Sequence, residues 1–184
     1  FSGKAFSGEA DFTLAYQLTP AQVRAAAQLE EFWQSPSQRT LVWAACGAGK
    51  TEVTYPLMRR ALREGHQVLF AVPRQDVVRE LAERFRSAFT GVEIAVHYGG
   101  QPWQAQGQLV IATTHQVLHF YQRFGLAILD EVDAFPYHGS EMLRFGLIRA
   151  LGPKGKLVEM SAAPNPVPRK GTAVTIPVRH HGYP

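Results

Sequence analysis

A glycine-rich loop between an apolar segment and a helix-compatible segment is the strongest constraint that this sequence places on its fold. The loop is Ala44-Ala45-Cys46-Gly47-Ala48-Gly49-Lys50-Thr51, and Leu41-Val42-Trp43 precedes it. Gly47 and Gly49 can adopt backbone angles that are closed to residues with a Cβ atom, so successive N–H groups can point at phosphate oxygens. A strand that enters such a loop and a helix that leaves it form the context in which this pattern binds a polyphosphate.

The last side chains of the loop supply charge and a metal ligand. Lys50 is expected to reach the β- and γ-phosphates of a nucleotide, and the Thr51 hydroxyl is expected to coordinate Mg²⁺. The dipole of the following helix favours the same anion. A glycine-rich turn with a lysine in solvent is the alternative, and it leaves the strand before and the helix after unexplained. The predicted nucleotide site in this segment comprises Ala45, Cys46, Gly47, Ala48, Gly49, Lys50, Thr51 and Glu52.

A second apolar segment ends in carboxylates, which a site for a metal–nucleotide complex requires. Leu126-Ala127-Ile128-Leu129 is typical of a buried strand, and Asp130-Glu131-Val132-Asp133 follows it. Because Mg²⁺ takes one or two carboxylates and keeps several waters, we expect Asp130 to hold the ion directly or through water. Glu131 is placed to orient or deprotonate the attacking water. The predicted catalytic residues are therefore Lys50, Asp130 and Glu131.

Strand and helix patterns alternate along the chain, which favours a parallel sheet covered by helices on both faces. The fold class predicted is therefore α/β, with three layers and a central, mainly parallel sheet. A helix is predicted from Pro20 to about Gln34, because Thr19 is a suitable N-cap. Strands are predicted at residues 40–45, 68–72, 92–97, 108–113, 126–129, 156–160 and 174–176. Further helices are predicted from the loop to residue 64 and at residues 75–89, 114–121 and 141–151.

Composition narrows the class of protein. A chain of 184 residues suits one large domain, and no apolar run approaches the roughly 20 residues that a membrane-spanning helix needs. The single cysteine, Cys46, excludes an internal disulfide and a cysteine-built zinc site, which fits a reducing, intracellular compartment. The net charge of +4 permits a nucleic-acid partner. Since the chain begins at Phe1 rather than at a methionine, we expect it to be a fragment.

Taken together, the motifs resemble those of the DExD/H-box superfamily-two helicases over nearly the whole chain. Their motif I has the form A-x-x-G-x-G-K-T, which matches the alanine at position 44 where a strict Walker loop has glycine. Residues 130–133 look like motif II, and Ser161-Ala162-Ala163-Pro164 looks like motif III, which is usually Ser-Ala-Thr. The resemblance implies a RecA-like fold of the P-loop NTPase class, with ATP and Mg²⁺ as ligands. It also assigns Asp133 and Ser161 to the coupling of hydrolysis to movement.

Other segments carry the same resemblance and imply contacts to the base and to a nucleic-acid strand. Leu18-Thr19-Pro20-Ala21-Gln22 looks like the upstream segment whose glutamine recognises adenine, which gives Gln22 that role. Val72-Pro73-Arg74 looks like motif Ia, and Thr113-Thr114-His115-Gln116 looks like motif Ib. In this superfamily, both of these motifs grip the backbone of a single strand. The strand contacts implied are Arg74, Thr113, Thr114 and Gln116.

Within that superfamily the chain is most similar to the ComFA-type late competence ATPases, through residues 129–137. This resemblance implies a motor on single-stranded DNA at the cytoplasmic face of the membrane, with other competence proteins as partners at the DNA-uptake channel. Such proteins usually carry a four-cysteine zinc module and a second RecA-like lobe with an arginine finger. We expect no zinc here, since Cys46 is alone. The expected domains are an arm at 1–17, the first RecA-like lobe at 18–168, and a segment at 169–184 leading towards the second lobe.

Three other functions fit parts of the sequence. A lobe of a primosomal or recombination-type helicase has the same motifs. A nucleic-acid-binding module with a regulatory nucleotide pocket predicts strand binding with a steep salt dependence and no response to nucleotide. A small-molecule kinase shares the loop but needs a lid, for which we find no segment. Among the tryptophans, Trp103 lies in a loop from which it can stack on a base, whereas Trp43 is expected in the core.

Overall fold

A parallel β-sheet forms the middle layer of the molecule. The computed structural model describes residues 10–43, 49–98, 107–130, 137–161 and 172–175. The strands are β1 Asp11–Phe12, β2 Arg39–Trp43, β3 Val68–Val72, β4 Phe89–Thr90, β5 Ile94–His97, β6 Leu109–Thr113, β7 Phe124–Leu129, β8 Leu151–Ser161 and β9 Thr172–Thr175. Seven of them form one sheet in the order β5-β6-β3-β7-β8-β2-β9, and every described pairing in that sheet is parallel.

Helices cover both faces of this sheet. They are α1 Pro20–Gln34, α2 Lys50–Val53, α3 Tyr55–Arg63, α4 Gln75–Ala88, the 3₁₀ helix Thr114–His119 and α5 Tyr137–Ala150. The interior strand β3 shows the two-sided burial: Val68, Phe70 and Val72 pack in the cluster that includes α1, α3 and α4. Leu69 and Ala71 pack in the cluster with the 3₁₀ helix and α5. No helix in the described ranges is both long and apolar enough to cross a membrane.

The predicted α/β class, its three layers and its parallel sheet are confirmed. Strand β3 has the predicted bounds, and α1 begins with the predicted cap. In this cap Gln22 N donates to Thr19 Oγ1 at 3.2 Å, and Thr19 N donates to Gln22 Oε1 at 2.8 Å. Helix α5 begins earlier than predicted, and the predicted helix at 114–121 is a 3₁₀ helix that ends at His119.

The helix predicted after the glycine-rich loop is divided in two. Pro56 has no N–H group and cannot donate to the carbonyl four residues earlier, so a continuous helix would lack one bond. Thr54 closes the first segment: its N–H and its hydroxyl donate to the Thr51 carbonyl at 3.0 and 2.6 Å. Helix α2, which carries Lys50 and Thr51, is therefore a single turn that depends on side-chain contacts for its orientation.

A short antiparallel ribbon ties the start of the described chain to the helices. Strands β1 and β4 pair with Asp11 opposite Thr90 and Phe12 opposite Phe89. The ribbon contacts two residues of α3: the Phe12 ring lies 5.8 Å from the ring of Tyr55, and Asp11 Oδ1 lies 2.9 Å from Arg59 Nη1. The ribbon thus fixes the segment that leads to α1.

Candidate nucleotide site

The strand order brings the predicted functional segments to one edge of the sheet. Strand β8 lies between β7 and β2, so Asp130 after β7, Ser161 at the end of β8 and Trp43 at the end of β2 are neighbours. On the other side of β7, strands β3 and β6 are paired, with Val72 opposite Thr113. In parallel α/β sheets, ligands bind at the carboxyl ends of the strands, and all of these segments lie there.

Lys50 and Asp130 meet at this edge. The distance between Lys50 Nζ and Asp130 Oδ1 is 3.0 Å, and their side chains are 17% and 10% exposed. The backbone N–H of Asp130 donates to the Ala71 carbonyl at 3.0 Å, which fixes the carboxylate at the end of β7. A lysine and a carboxylate with so little exposure attract each other strongly, because little water screens the charges. The structure thus joins the two predicted halves of the site.

Gln22 packs against the end of the glycine-rich loop. Gly49 has φ +67°, and a Cβ atom added to it would lie 2.4 Å from Gln22 Nε2. Gln22 Nε2 donates to the Gly49 carbonyl at 3.5 Å, and the residue is 4% exposed. Its Oε1 accepts from Thr19. The predicted adenine-recognising glutamine therefore lies beside the phosphate loop and is held at both ends of its amide.

Thr51 and Glu52 are both buried on the single turn of α2, but their surroundings differ. Thr51, the predicted metal ligand, directly follows Lys50. The Glu52 carboxylate contacts the guanidinium of Arg84 on α4, and its Oε2 atom is buried without a hydrogen-bond partner among the described residues. Burial, reinforced by the Glu52 charge, raises the pKa of the neighbouring Tyr55 to about 12. The structure thus places Glu52, which we predicted as a nucleotide contact, against α4.

The residues predicted to contact a nucleic-acid strand lie at the same edge with unequal exposure. Arg74 is the N-cap of α4, its side chain is 65% exposed, and its Nε lies 3.6 Å from Asp76 Oδ1. Thr113 and Thr114 are buried at the end of β6, and Gln116 is half-buried in the 3₁₀ helix. Arg74 is therefore the one of these four side chains that is open to a strand in this conformation.

Ser161 ends β8 opposite Trp43 of β2, and it is buried. Trp43, expected in the core, is partly buried. Glu159, two residues earlier, was not predicted as a functional residue. Its Oε1 lies 2.6 Å from Arg39 Nε, and its Oε2 lies 3.4 Å from Arg144 Nη2 on α5. Other predicted residues lie outside the described part of the chain: Ala45, Cys46, Gly47, Ala48, Trp103, Glu131 and Asp133.

Comparison with known proteins finds a matching family and similar sequences. The family described as "Type III restriction enzyme, res subunit" matches residues 15–165. Competence protein ComFA of Bacillus subtilis (strain 168) is 41% identical over 175 residues, which are 91% of this chain and 38% of that protein. ComFA of Streptococcus pneumoniae (strain ATCC BAA-255 / R6) is 36% identical over 174 residues, which are 91% of this chain and 40% of that protein. The chain thus spans less than half the length of these curated relatives.

A solved structure shows the same fold at low sequence identity. The SWI2/SNF2 ATPase core of Sulfolobus solfataricus, in complex with double-stranded DNA, is similar with a TM-score of 0.66 at 15% identity. The similarity covers 84% of this chain and 34% of that chain. The three-layer fold described above is therefore the predicted RecA-like fold, which this chain shares with that ATPase core.

Proposed function

This chain belongs to the Type III restriction enzyme, res subunit family, and from that premise we propose that it is the ATP-binding motor lobe of a single-stranded DNA translocase or helicase. The observation that carries the proposal is the distance of 3.0 Å between Lys50 Nζ and Asp130 Oδ1 at the carboxyl edge of the sheet. A cation from the phosphate loop and a carboxylate from a nearby strand end are the two groups that a metal–nucleotide complex needs in one place.

The described residues fit Mg-ATP. Lys50 offers an ammonium group to phosphate oxygens, and Thr51 and Asp130 offer the oxygen ligands that Mg²⁺ prefers. The bound ion would offset the negative charge of the phosphates during hydrolysis. In this proposal Gln22 orients the adenine, Glu52 belongs to the wall of the pocket, and Glu131 orients the attacking water and accepts its proton. We assign the backbone of Ala45, Cys46, Gly47 and Ala48 to phosphate binding on the loop pattern of the sequence alone.

Single-stranded DNA is the proposed substrate, and uptake of DNA in natural transformation is the proposed setting. The exposed Arg74, which follows β3 beside β6, supports a strand contact at this edge. We keep Thr113, Thr114 and Gln116 as strand contacts on the sequence motif alone. The setting is supported by similarity to two proteins named competence protein ComFA. We place this motor in the cytoplasm at the inner face of the membrane, with other competence proteins as partners.

A second RecA-like lobe completes the proposed machine. The chain spans 38% and 40% of its two ComFA relatives, which leaves room in them for such a lobe. We propose residues 18–168 as the first lobe, 1–17 as an arm and 169–184 as the segment towards the second lobe. Asp133 and Ser161 would then transmit hydrolysis between the lobes. A stabilising arginine contributed by another lobe is worth about 10³ to 10⁵ in rate, so this chain alone should bind ATP and hydrolyse it slowly.

Steady-state turnover of this chain, measured with and without single-stranded DNA, tests the proposal. We expect a turnover rate at least about 10³-fold below that of a two-lobed relative under the same conditions, and lower still in Glu131→Gln. Vigorous, DNA-stimulated hydrolysis by the chain alone would show that the site is complete without another lobe. Absence of Mg-ATP binding would refute the motor function itself.

A further inference from the structure

Helix α4 carries arginines at both ends, and the two have different surroundings. Arg74, the N-cap, has a side chain that is 65% exposed at the edge where the strand contacts are predicted. Arg84, near the other end, has a side chain that is 41% exposed, and it contacts the Glu52 carboxylate, which is 9% exposed. At a rise of 1.5 Å per residue, about 15 Å of helix separates the two arginines. One rigid element therefore reaches from the predicted strand contact to the phosphate-binding turn.

The Glu52 carboxylate is enclosed by groups from several elements. Arg84 contacts it from α4, and burial together with the Glu52 charge raises the pKa of two nearby hydroxyls, Tyr16 before α1 and Tyr55 at the start of α3. Within the described residues Arg84 is the cation that contacts this carboxylate. A buried carboxylate that keeps one cationic partner is strongly tied to that partner's position.

Glu52 also stands in the turn that binds the nucleotide in our proposal. Helix α2 is only four residues long, and Thr54 ends it through hydrogen bonds to the Thr51 carbonyl. A long helix would fix Lys50 and Thr51 by its own packing, but a single turn needs outside contacts. Val53 packs this turn into the core, and the polar contacts that orient it include Gln22 to Gly49 before it, Lys50 to Asp130 within it, and Glu52 to Arg84.

We propose that Arg84 is a positioning residue that couples α4 to the phosphate-binding turn through Glu52. Movement of α4 when a DNA strand engages Arg74 then changes the orientation of Lys50 and Thr51, and nucleotide binding acts back on α4 in the same way. The inference rests on the proposed function, because it needs both a nucleotide at α2 and a strand at Arg74. It adds a residue and a route that the motifs of the sequence do not contain.

A purely structural ion pair makes a different prediction. Loss of such a pair lowers stability and weakens each ligand separately, but leaves the effect of one ligand on the other unchanged. An ion pair that couples the sites instead sets the factor by which bound DNA changes the dissociation constant of the nucleotide. By thermodynamic linkage, bound nucleotide changes the dissociation constant of the DNA by the same factor. The informative quantity is therefore this coupling factor rather than either affinity alone.

The test is a titration of the chain with a fluorescent Mg-ADP analogue, with and without saturating oligothymidylate. We expect oligothymidylate to change the nucleotide dissociation constant of the wild-type chain by about fivefold or more, which is typical of coupled sites. In Arg84→Gln the factor should fall to within about twofold of unity, and Arg84→Lys should restore part of it. Arg86→Gln is the matched control, since Arg86 is an exposed arginine of α4 with an ion pair inside the helix, 3.8 Å from Glu83.

An unchanged coupling factor in Arg84→Gln, or a wild-type factor near unity, would overturn the inference. If Arg84→Gln does not fold, the double variant Glu52→Gln with Arg84→Gln replaces the ion pair by two neutral amides. An unchanged coupling factor in this double variant, or a wild-type factor near unity, would then overturn the inference. Failure of the proposed function looks different: the wild-type chain would then not bind the Mg-ADP analogue at all. If Lys50→Ala loses binding of the Mg-ADP analogue while Arg84→Gln keeps the wild-type coupling factor, the proposed function stands and only the role of Arg84 is refuted.

Discussion

At the scale of single residues, the end of the glycine-rich loop at Gly49 is packed against Gln22, a side chain of α1. Gly49 has a left-handed backbone with φ +67°, and Gln22 Nε2 occupies the space that a Cβ atom would need, 2.4 Å away. Gln22 cannot withdraw freely, because its Oε1 accepts from the backbone of Thr19 at the start of α1. Glycine is therefore required at position 49 for its backbone angles and for the close approach of Gln22.

We expect Gly49→Ala to be more destabilising than Gly65→Ala. Both glycines have positive φ, but an added Cβ at Gly65 meets no atom within 4 Å. Gly65→Ala should lower the free energy of unfolding by about 1 to 2 kcal/mol, which is the usual cost of a left-handed backbone conformation at a residue with a Cβ atom. Gly49→Ala should lose about 1 kcal/mol more, because the Gln22 hydrogen bonds are disturbed. Urea denaturation measures both values, and equal losses would contradict the described packing of Gln22 against the loop.

Residues of the site could be predicted from the sequence where they belong to a local motif. The glycine loop predicted Lys50, and a strand ending in carboxylates predicted Asp130; the structure brings these two together. The contact between Glu52 and Arg84 was not predicted, because the two residues lie on different helices and no local pattern pairs them. Arg84 follows the exposed pattern of α4, so the sequence indicates only that it is on the surface.

At the scale of elements, burial on both faces of the sheet explains why the bounds of one strand, β3, were predicted most accurately from the sequence. All five residues of β3 are buried, and an uninterrupted apolar run has clear limits. Strand β8 is longer than predicted because its first half, Gly152-Pro153-Lys154-Gly155, has the composition of a turn. Its pairing with β7 is irregular there, between Phe124 and Leu126. The two-residue strands β1 and β4 are too short for any period to show.

The end of helix α1 is held by a lysine from the neighbouring sheet. Lys156 of β8 is buried, and its Nζ donates to the carbonyls of Phe32, Ser35 and Ser37 at 2.7, 2.5 and 2.7 Å. The last turn of α1 has no basic residue of its own to meet these carbonyls. A cation at a helix C-terminus is favoured by the helix dipole, so Lys156 connects the outer layer to the sheet.

We expect Lys156→Met to lower the free energy of unfolding by about 2 to 3 kcal/mol, because hydrogen bonds from a charged donor to the carbonyls are lost. Lys154→Met is the matched control: Lys154 lies on the same strand and is exposed, so its replacement should change stability by less than about 0.5 kcal/mol. Chemical denaturation of both variants supplies the comparison. A Lys156→Met variant as stable as wild type would show that the buried ammonium contributes nothing net.

At the scale of the whole molecule, strand order creates the site. The order β7-β8-β2 places residues from three distant parts of the sequence side by side at one edge. Alternating patterns predicted a parallel sheet, but they do not say which strands are neighbours, since that depends on how the helices pack across both faces. The resemblance to helicase motifs supplied the expectation that these segments meet. The fold now gives that expectation a physical basis in the contact between Lys50 and Asp130.

Calorimetric titration of Mg-ATP into the wild-type chain and into Lys50→Ala tests the central claim most directly. We predict a saturable binding isotherm for the wild type and an affinity lower by about 100-fold in Lys50→Ala, since a charged contact to phosphate of about 2.7 kcal/mol is lost. Lys154→Ala, which removes an exposed lysine, should bind as the wild type does. Equal affinity of Lys50→Ala and wild type for Mg-ATP would contradict the assignment of this edge of the sheet as the nucleotide site.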